Sequence, residues 1–335
     1  MICPSPANTK LLICVWHKFT LWRPPADVAS QIRKRWPEMK VVHLPTYDHL
    51  DEEIADTDIF VGYSLRAQQL LAARRLKWFH VTAAGVEHLR YPELRQSGVL
   101  VTNSRGIHSV PMAEHILGML IALARRFHSA YRYQLQGRWA QQEIWDEPLR
   151  PRELHGQVLL LVGFGAIGRE VARRVRPIGV RIWAVTRSGQ ADAELADRVV
   201  SAAQLEDVLP EADYVVLAAP VTPETQHLMN ARRLAMMKPT AFLINVARGT
   251  LIDEPALVEA LRRRTIAGAA LDVASQEPLP AGHPLWSLDN VFITPHISAV
   301  SEYLWDRQTK LILENLERWF SARELINVVD LARSY

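Results

Sequence analysis

A glycine-rich turn between an apolar run and a helical pattern is the feature that most restricts the fold of this chain. In QVLLLVGFGAIG at 157–168, the glycines follow a run of apolar residues directly. The first glycine permits a tight turn, the second lets the backbone approach a pyrophosphate, and the third lets the helix pack on the strand. The turn therefore predicts a dinucleotide-binding βαβ unit; the alternative is a glycine-rich turn that holds no ligand. The residues expected to face the phosphates are Gly163, Gly165, Ala166, Ile167 and Gly168.

Short apolar runs alternate with helical patterns on both sides of that turn, which predicts parallel sheets with crossover helices. The runs before the turn lie at 11–16, 40–44, 58–63, 77–82 and 99–103. The second series lies at 157–163, 180–185, 212–220, 241–247, 266–273 and 290–296. Its six predicted strands match a doubly wound dinucleotide-binding domain. A long apolar helix begins near Pro111, a loop or arm is expected at 137–152, and an amphipathic helix spans 301–320.

Length and composition favour a two-domain globular protein of 335 residues with a net charge of +3. The arginine clusters lie in apolar-periodic segments and are typical of solvated helix faces, so we expect no nucleic-acid partner. No zinc-ligand spacing occurs, and two cysteines make no disulfide framework, so we expect no metal site. The first sixteen residues lack a basic n-region and their apolar run is too short to span a membrane, so we expect a cytoplasmic protein without membrane contact.

The residue that usually distinguishes NAD from NADP is missing from its expected place. About 20 residues after the glycine turn, NAD-binding domains carry an acid for the ribose hydroxyls. Here the run ends on Thr186, Arg187 and Ser188, and the nearest acids are Asp192 and Glu194. Hydroxyls and a guanidinium favour a 2′-phosphate, which a carboxylate would repel. We therefore expect NADPH to be preferred; in the alternative, Arg187 stacks on the adenine or faces solvent and NAD binds.

Three segments of the second series place polar side chains directly after apolar strands. They are LINVARGTLIDEPAL with Arg248, ALDVASQEPLP with Asp272 and Glu277, and NVFITPHISA with His296. Ligands of open α/β sheets bind at the carboxyl ends of the strands. Taken singly, Arg248 is explained as a helix-start cation, Glu277 as loop surface and His296 as a satisfied strand-end residue. Taken together with the glycine turn, they predict a catalytic site.

Five motifs make the chain similar to a known family. They are VGFGAIGREVARRV, VVLAAPVTPETQHLMN, NVARGTLIDEPALVEAL, AGAALDVASQEPLP and HPLWSLDNVFITPH. The chain resembles the D-isomer-specific 2-hydroxyacid dehydrogenases, which include glyoxylate and hydroxypyruvate reductases, from about residue 58 to 320. The resemblance implies an α/β fold of two doubly wound domains, in which a Rossmann domain at 103–300 is inserted in a flavodoxin-like substrate domain at 1–102 and 301–335.

The resemblance also implies a catalytic triad of Arg248, Glu277 and His296. Reduction of a 2-keto acid needs a hydride at the carbonyl carbon, a proton for the oxygen and a hold on the carboxylate. His296 is expected to donate the proton, and Glu277 to orient the imidazole and keep it protonated. Arg248 is expected to bind the carboxylate in a fork and to polarise the carbonyl.

Further site residues follow from the same resemblance. The amides around Ala84 and Gly85 are expected to hold the substrate carboxylate. Tyr63 and Leu65 lie on a loop expected to rim the substrate pocket, unless they serve packing alone. The remaining residues expected at the cofactor are Pro220, Thr225, the backbone of Val246 and Ala247, Asp272, His296 and Ser298.

Together these features predict a reductase that transfers a hydride from NADPH to a small 2-keto acid, glyoxylate or hydroxypyruvate. The residues leave the preferred 2-keto acid open. The family counterpart of the helix in SVPMAEHILGML packs at a dimer interface, so we expect a homodimer. The alternative is a non-enzymatic protein that senses the dinucleotide, as co-repressor relatives do.

Overall fold

The computed structural model describes residues 5–191 and 194–331. The chain divides into two compact units, of which unit 1 is Met1–Ile107 with Val300–Tyr335 and unit 2 is His108–Ala299. The chain leaves unit 1, forms the whole of unit 2 and then returns, so unit 1 is discontinuous.

Unit 1 is built on a parallel sheet with the order β2-β1-β3-β4-β5. Its strands are β1 (Lys10–Cys14), β2 (Lys40–Leu44), β3 (Ile59–Gly62), β4 (Trp78–Val81) and β5 (Leu100–Asn103). Between them lie α1 (Ala26–Arg35), α2 (Leu50–Glu53), α3 (Ala67–Ala72) and α4 (Pro92–Gln96). Every residue of β1, β3 and β4 is buried, as expected for parallel strands covered on both faces. This strand order is the flavodoxin-like one.

Unit 2 begins with three helices and continues as a second parallel α/β series. The helices are α5 (Ser109–Ala124), α6 (Phe127–Leu135) and α7 (Gln141–Asp146). The series is β6 (Val158–Val162), α8 (Ala166–Val175), β7 (Arg181–Thr186), β8 (Arg198–Ser201), α9 (Leu205–Val208), β9 (Tyr214–Leu217), α10 (Ala231–Met236), β10 (Phe242–Asn245), α11 (Glu254–Arg262), β11 (Gly268–Leu271) and β12 (Val291–Ile293). Read across the sheet, the order is β8-β7-β6-β9-β10-β11-β12, with the reversal between β6 and β9 that marks a doubly wound sheet. The predicted fold class is confirmed.

Two elements of unit 2 differ from the sequence-based prediction. The described part of the sheet has seven strands where six were expected, because β8 pairs with β7 at the edge. Its sequence RVVS has only two apolar residues after an arginine, too few for a periodic pattern. The segment expected as a loop or arm at 137–152 contains α7, whose sequence QQEIWD is a short helix without a buried residue.

Helix α5 packs beside α8 on one face of the sheet of unit 2. Its buried side chains include Met112, Ile116, Leu120 and Leu123, which contact the same face of the sheet as α8. Complete burial of each such side chain stabilises the fold by about 1.5–3 kcal/mol. None of the helices in the described ranges is both long and apolar enough to span a bilayer.

The last helix, α12 (Leu304–Phe320), completes unit 1. Ile312 and Leu316 are fully buried in the cluster that also holds Leu11 and Ile59 of the sheet. Burial of this apolar face of α12 therefore anchors the returning segment in unit 1.

Candidate active site

The glycine turn between β6 and α8 has the shape that a pyrophosphate requires. Gly163 has a φ of +99°, and a Cβ there would lie 2.7 Å from the carbonyl carbon of Ala218. A Cβ on Gly168 would lie 2.5 Å from the carbonyl oxygen of Gly163. By contrast, no atom lies within 4 Å of a Cβ placed on Gly165. The first and third glycines are thus needed for backbone packing, and the second leaves open space at the start of α8, where helix amides favour a phosphate.

The end of β7 forms a turn that presents polar side chains. The hydroxyl of Thr186 donates to the carbonyl of Gln190 and accepts from its amide, both at 3.1 Å. Thr186 therefore shapes the turn, and Arg187 and Ser188 are exposed on it. Glu194 is exposed as well, whereas Asp192 lies outside the described residues.

Arg248 is placed by a polar residue at the end of the buried strand β10. The side-chain nitrogen of Asn245 donates to the carbonyl of Arg248 at 2.9 Å, and its side-chain oxygen accepts from the backbone amide of Ala247 at 3.0 Å. Arg248 is exposed at the start of a short 3-10 helix, Gly249–Leu251. A Cβ on Gly249 would lie 2.0 Å from the carbonyl carbon of Ala274. The turns after β10 and β11 therefore pack backbone against backbone.

Glu277 and His296 form a close polar pair at the carboxyl ends of β11 and β12. Oε2 of Glu277 lies 2.6 Å from Nδ1 of His296, and Oε1 accepts from the amide of Ala274 at 3.1 Å. The adjacency of β11 and β12 in the sheet brings the two residues together. Because Nδ1 faces the carboxylate, Nε2 is the nitrogen that can exchange a proton with a substrate. Both side chains are partly exposed, at 46% for His296 and 38% for Glu277.

Asp272, at the end of β11, holds the backbone of the turn that carries His296. It is only 2% exposed. Its Oδ1 accepts from the hydroxyl of Thr294 at 2.5 Å and from the amide of Ile297 at 2.9 Å, and Oδ2 accepts from the amide of Ser298 at 2.9 Å. The Asp272 carboxylate thus fixes the residues that follow His296.

The other residues predicted at the cofactor lie at the same edge of the sheet. The hydroxyl of Thr225 donates to the carbonyl of Pro220 at 2.8 Å in the loop after β9. Val246 is buried and Ala247 is half-buried, directly after β10. The residues predicted here are therefore placed at the carboxyl ends of β9 to β12.

In unit 1, the loop of Ala84 and Gly85 follows β4 and is held by polar contacts from the last residue of β5 and the residue after it. Asn103 donates through its side-chain amide to the carbonyl of Ala84 at 2.7 Å, and the amide of Ser104 donates to the carbonyl of Ala83 at 3.0 Å. Ala84 is exposed and Gly85 half-buried.

Tyr63 and Leu65, on the loop after β3, have different environments. Tyr63 is 46% exposed and its ring stacks on His88, with centroids 4.3 Å apart. Nε2 of His88 donates to the carbonyl of Tyr63 at 2.8 Å. Leu65 is only 1% exposed and belongs to the core of unit 1, in line with the packing alternative considered for it.

Three residues that contact the site are absent from the sequence-based prediction: Asn245, Thr294 and His115. Asn245 ends the buried run FLIN, and Thr294 follows VFI. A polar residue at the end of an apolar run was the available signal for Asn245 and Thr294. His115 gave none, since it lies within an apolar helix.

Comparisons with known proteins agree with this geometry. The family described as D-isomer specific 2-hydroxyacid dehydrogenase, NAD binding domain, matches residues 117–298. A glyoxylate reductase from Thermofilum pendens is 35% identical over 94% of this chain and 88% of that protein. A D-isomer specific 2-hydroxyacid dehydrogenase family protein from Aeromonas salmonicida superposes with a TM-score of 0.82 at 31% identity, over 97% of this chain and 99% of that one. A family member from Xanthobacter autotrophicus, solved with NADPH and MES, gives a TM-score of 0.81 at 29% identity, over 98% and 100% of the two chains.

Proposed function

Because the chain belongs to the D-isomer-specific 2-hydroxyacid dehydrogenase family, and is an NAD(P)-dependent reductase of small 2-keto acids, we propose that it reduces glyoxylate or hydroxypyruvate with NADPH. One observation carries the assignment of the site: the 2.6 Å contact between Glu277 and His296 at the same sheet edge as Arg248. We assign 103–300 to nucleotide binding and 1–102 with 301–335 to substrate binding.

His296 is the proton donor of the proposed reaction. Its Nδ1 is engaged by Glu277, so Nε2 delivers the proton to the carbonyl oxygen of the keto acid as negative charge develops there. The Glu277 carboxylate stabilises the imidazolium form and keeps the ring oriented. The glycine turn, Pro220, Thr225, the Val246 and Ala247 backbone, Asp272 and Ser298 would hold a reduced dinucleotide, which would supply the hydride.

Arg248 is the residue of unit 2 proposed to bind the carboxylate of the substrate. The guanidinium of Arg248 is exposed beyond β10, and a planar fork suits a carboxylate. Within unit 1, the amides of Ala84 and Gly85 are the groups proposed to bind a carboxylate, in a loop that Asn103 holds through the carbonyl of Ala84. Tyr63 rims the substrate pocket.

The substrate assignment is tested by following oxidation of NADPH with glyoxylate, hydroxypyruvate and longer 2-keto acids. We expect the highest kcat/KM for glyoxylate or hydroxypyruvate, and a loss of about 100-fold in Arg248→Ala. Arg263→Ala, which removes an exposed arginine at the end of α11, is the control and keeps full activity. Preference for a longer keto acid would refute the substrate assignment. Inactivity toward every keto acid, with dinucleotide still bound, would favour a sensing role.

The preference for NADPH rests on the turn after β7. Arg187 and Ser188 are exposed beside Thr186, which has no carboxylate to repel a 2′-phosphate. Arg187→Ala is expected to lower kcat/KM for NADPH by at least about 10-fold and to leave NADH nearly unchanged, because a charge-assisted contact contributes about 1.5–3 kcal/mol. Equal loss with both dinucleotides would indicate that Arg187 contacts the adenine instead.

A second copy of this chain is the partner that best fits the surface of α6. Phe127, Tyr131 and Leu135 follow one another at the spacing that puts them on one face, and they are 55%, 58% and 69% exposed. Trp139, just beyond the helix, is 94% exposed. A contiguous apolar surface of this kind marks an interaction site. We therefore propose that a homodimer forms through α6 and the segment after it.

Light scattering on the purified chain tests the dimer. We expect a dimer for the wild-type protein and a monomer for Leu135→Glu. Leu71→Glu places the same charge on a leucine that is 71% exposed in unit 1, and it is expected to remain dimeric. A wild-type monomer, or an unaffected Leu135→Glu dimer, would exclude this interface.

A further inference from the structure

His115, in the first half of α5, reaches the turn that carries the proposed catalytic histidine. Its Nε2 lies 3.0 Å from Oγ1 of Thr294. The hydroxyl of Thr294 donates its one proton to Oδ1 of Asp272 at 2.5 Å. Oγ1 must therefore accept from His115, so the three residues form a directed chain from helix to strand end.

The carboxylate at the end of that chain is hydrogen-bonded to the residues next to His296. It accepts from the amides of Ile297 and Ser298, both at 2.9 Å. The amide of His296 donates to the carbonyl of Asp272 at 2.8 Å. His296 itself has a φ of +55°, a left-handed conformation that non-glycine residues adopt only when their surroundings hold them there.

We propose that His115 and Thr294 are positioning residues that fix the backbone of His296 through Asp272. The hydrogen-bonded chain of His115 and Thr294 supplies Asp272 with a side-chain donor in addition to the backbone donors of the turn. Without it, the carboxylate is free to turn away from the amides of Ile297 and Ser298, and His296 loses the geometry that directs Nε2 to the substrate. The inference rests on the role proposed for His296.

The environment of His115 suits a neutral donor. Its side chain is 18% exposed and that of Asp272 is fully buried. Burial lowers the pKa of His115, and the negative charge of Asp272, 3.7 Å away, opposes that shift only in part. A neutral imidazole with its proton on Nε2 makes the observed contact, and α5 anchors it by the buried side chains of Met112 and Ile116.

Two matched pairs of variants test the hydrogen-bonded chain from His115 to Asp272. Thr294→Val removes the hydroxyl at nearly constant volume, whereas Thr294→Ser retains it. His115→Leu removes the donor, whereas His115→Gln places an amide nitrogen near the position of Nε2. In Thr294→Val and His115→Leu, kcat is expected to fall at least about 10-fold with little change in KM for the 2-keto acid, because a small misplacement of a reacting group costs that much. The Ser and Gln variants are expected to recover most of the rate.

Hydrogen exchange of the ligand-free protein supplies a readout that does not depend on turnover. The amides of Ile297 and Ser298 are expected to exchange faster in Thr294→Val and His115→Leu, while the amides of β6 and β9 keep their wild-type protection. The double variant is expected to be no slower in turnover than the worse single variant, since both act on one chain of contacts.

The outcomes separate this inference from the proposed function. Unchanged exchange of Ile297 and Ser298 would overturn the inference even if the enzyme is active. A loss of rate that Ser and Gln do not recover, or that comes with faster exchange throughout unit 2, would also overturn it. If the wild-type protein reduces no 2-keto acid, the proposed function fails, and the exchange comparison still decides whether the chain of contacts holds the turn.

Discussion

Oε2 of Glu277 lies 2.6 Å from Nδ1 of His296, while Oε1 of the same carboxylate accepts from the amide of Ala274. One carboxylate therefore fixes both its own loop and the orientation of the imidazole. The loop is held from the other side by Glu254, whose Oε2 accepts from the amide of Ser275 at 2.9 Å. The carboxylate thus supplies both a negative charge and two hydrogen-bond acceptors, and a substitution that keeps an oxygen but removes the charge can separate the two contributions.

Glu277→Gln separates the charge from the geometry. The amide oxygen can still accept from the Ala274 backbone, but a neutral group cannot stabilise the imidazolium. We expect kcat for 2-keto acid reduction to fall by about 100-fold, within the usual range for general acid catalysis. Steady-state kinetics and thermal unfolding measure the two effects. The pair is partly exposed, so the unfolding temperature is expected to change little.

Glu259→Gln is the control for this variant. It neutralises an exposed acid of α11 that pairs with Arg263, and it is expected to leave kcat unchanged. Full activity of Glu277→Gln would show that the carboxylate charge is not needed and would contradict the proposed role of Glu277.

Gly249→Ala is expected to displace the loop that carries Glu277. The added Cβ would lie 2.0 Å from the carbonyl carbon of Ala274 and 2.3 Å from the amide nitrogen of Ser275, so backbone must move. We expect a loss of at least about 2 kcal/mol in the free energy of unfolding, as for other overpacked sites, and a fall in kcat. Urea unfolding and kinetics measure both. Gly282→Ala has no atom within 4 Å of its new Cβ and is the control; a Gly249→Ala protein as stable as that control would contradict the close packing.

The sequence revealed those parts of the fold and site that depend on local pattern. Buried parallel strands are continuous apolar runs, and Arg248, Glu277 and His296 each follow one, so their common sheet edge was predictable. Strand β8 was not, because its two valines at an edge make no such run. The contact of His115 with Thr294 joins residues 179 positions apart, and an apolar helix pattern names no partner for a single histidine within it. Contacts of this kind depend on tertiary packing rather than on local pattern.

Gly165→Ala is expected to block the dinucleotide without affecting the fold. No atom of the protein lies within 4 Å of the added Cβ, and the backbone of Gly165 has a φ of −78°, which alanine adopts readily. The methyl group occupies the space needed for the close approach of a pyrophosphate. We expect KM for NADPH to rise by at least about 10-fold, equivalent to about 1.4 kcal/mol, with an unchanged unfolding temperature.

The control for this substitution is Gly118→Ala, at an exposed position in the middle of α5 with open space around the new Cβ. It is expected to stabilise the protein by up to about 1 kcal/mol, because alanine is the better helix former, and to leave KM for NADPH unchanged. If Gly165→Ala bound NADPH as tightly as this control, the glycine turn would not be the pyrophosphate site.

Unit 1 contains a buried histidine whose hydrogen bonds require the neutral ring. Nδ1 of His80 lies 2.8 Å from Oγ1 of Thr102, and Nε2 accepts from the side-chain amide of Gln308 at 3.0 Å. The side-chain amide of Gln308 also donates to Oγ of Ser104 at 2.7 Å. The network ties α12 to β4 and β5, and it places the amide nitrogen of Gln308, a donor, at Nε2 of His80. Complete burial lowers the pKa of His80 to about 3.

Acid is therefore expected to destabilise the protein through His80. The folded state keeps the ring neutral down to about pH 3, whereas the unfolded chain takes up a proton near pH 6.5. The stability is complete above the unfolded pKa and falls as the pH drops below it, by up to about 1.4 kcal/mol per pH unit for this one group. Urea unfolding at a series of pH values measures the slope. In His80→Asn the protein is less stable at neutral pH, but the slope is expected to be smaller by about one proton. His128, whose pKa burial lowers to about 4, contributes to both proteins alike, so equal slopes would show that His80 is not the group responsible.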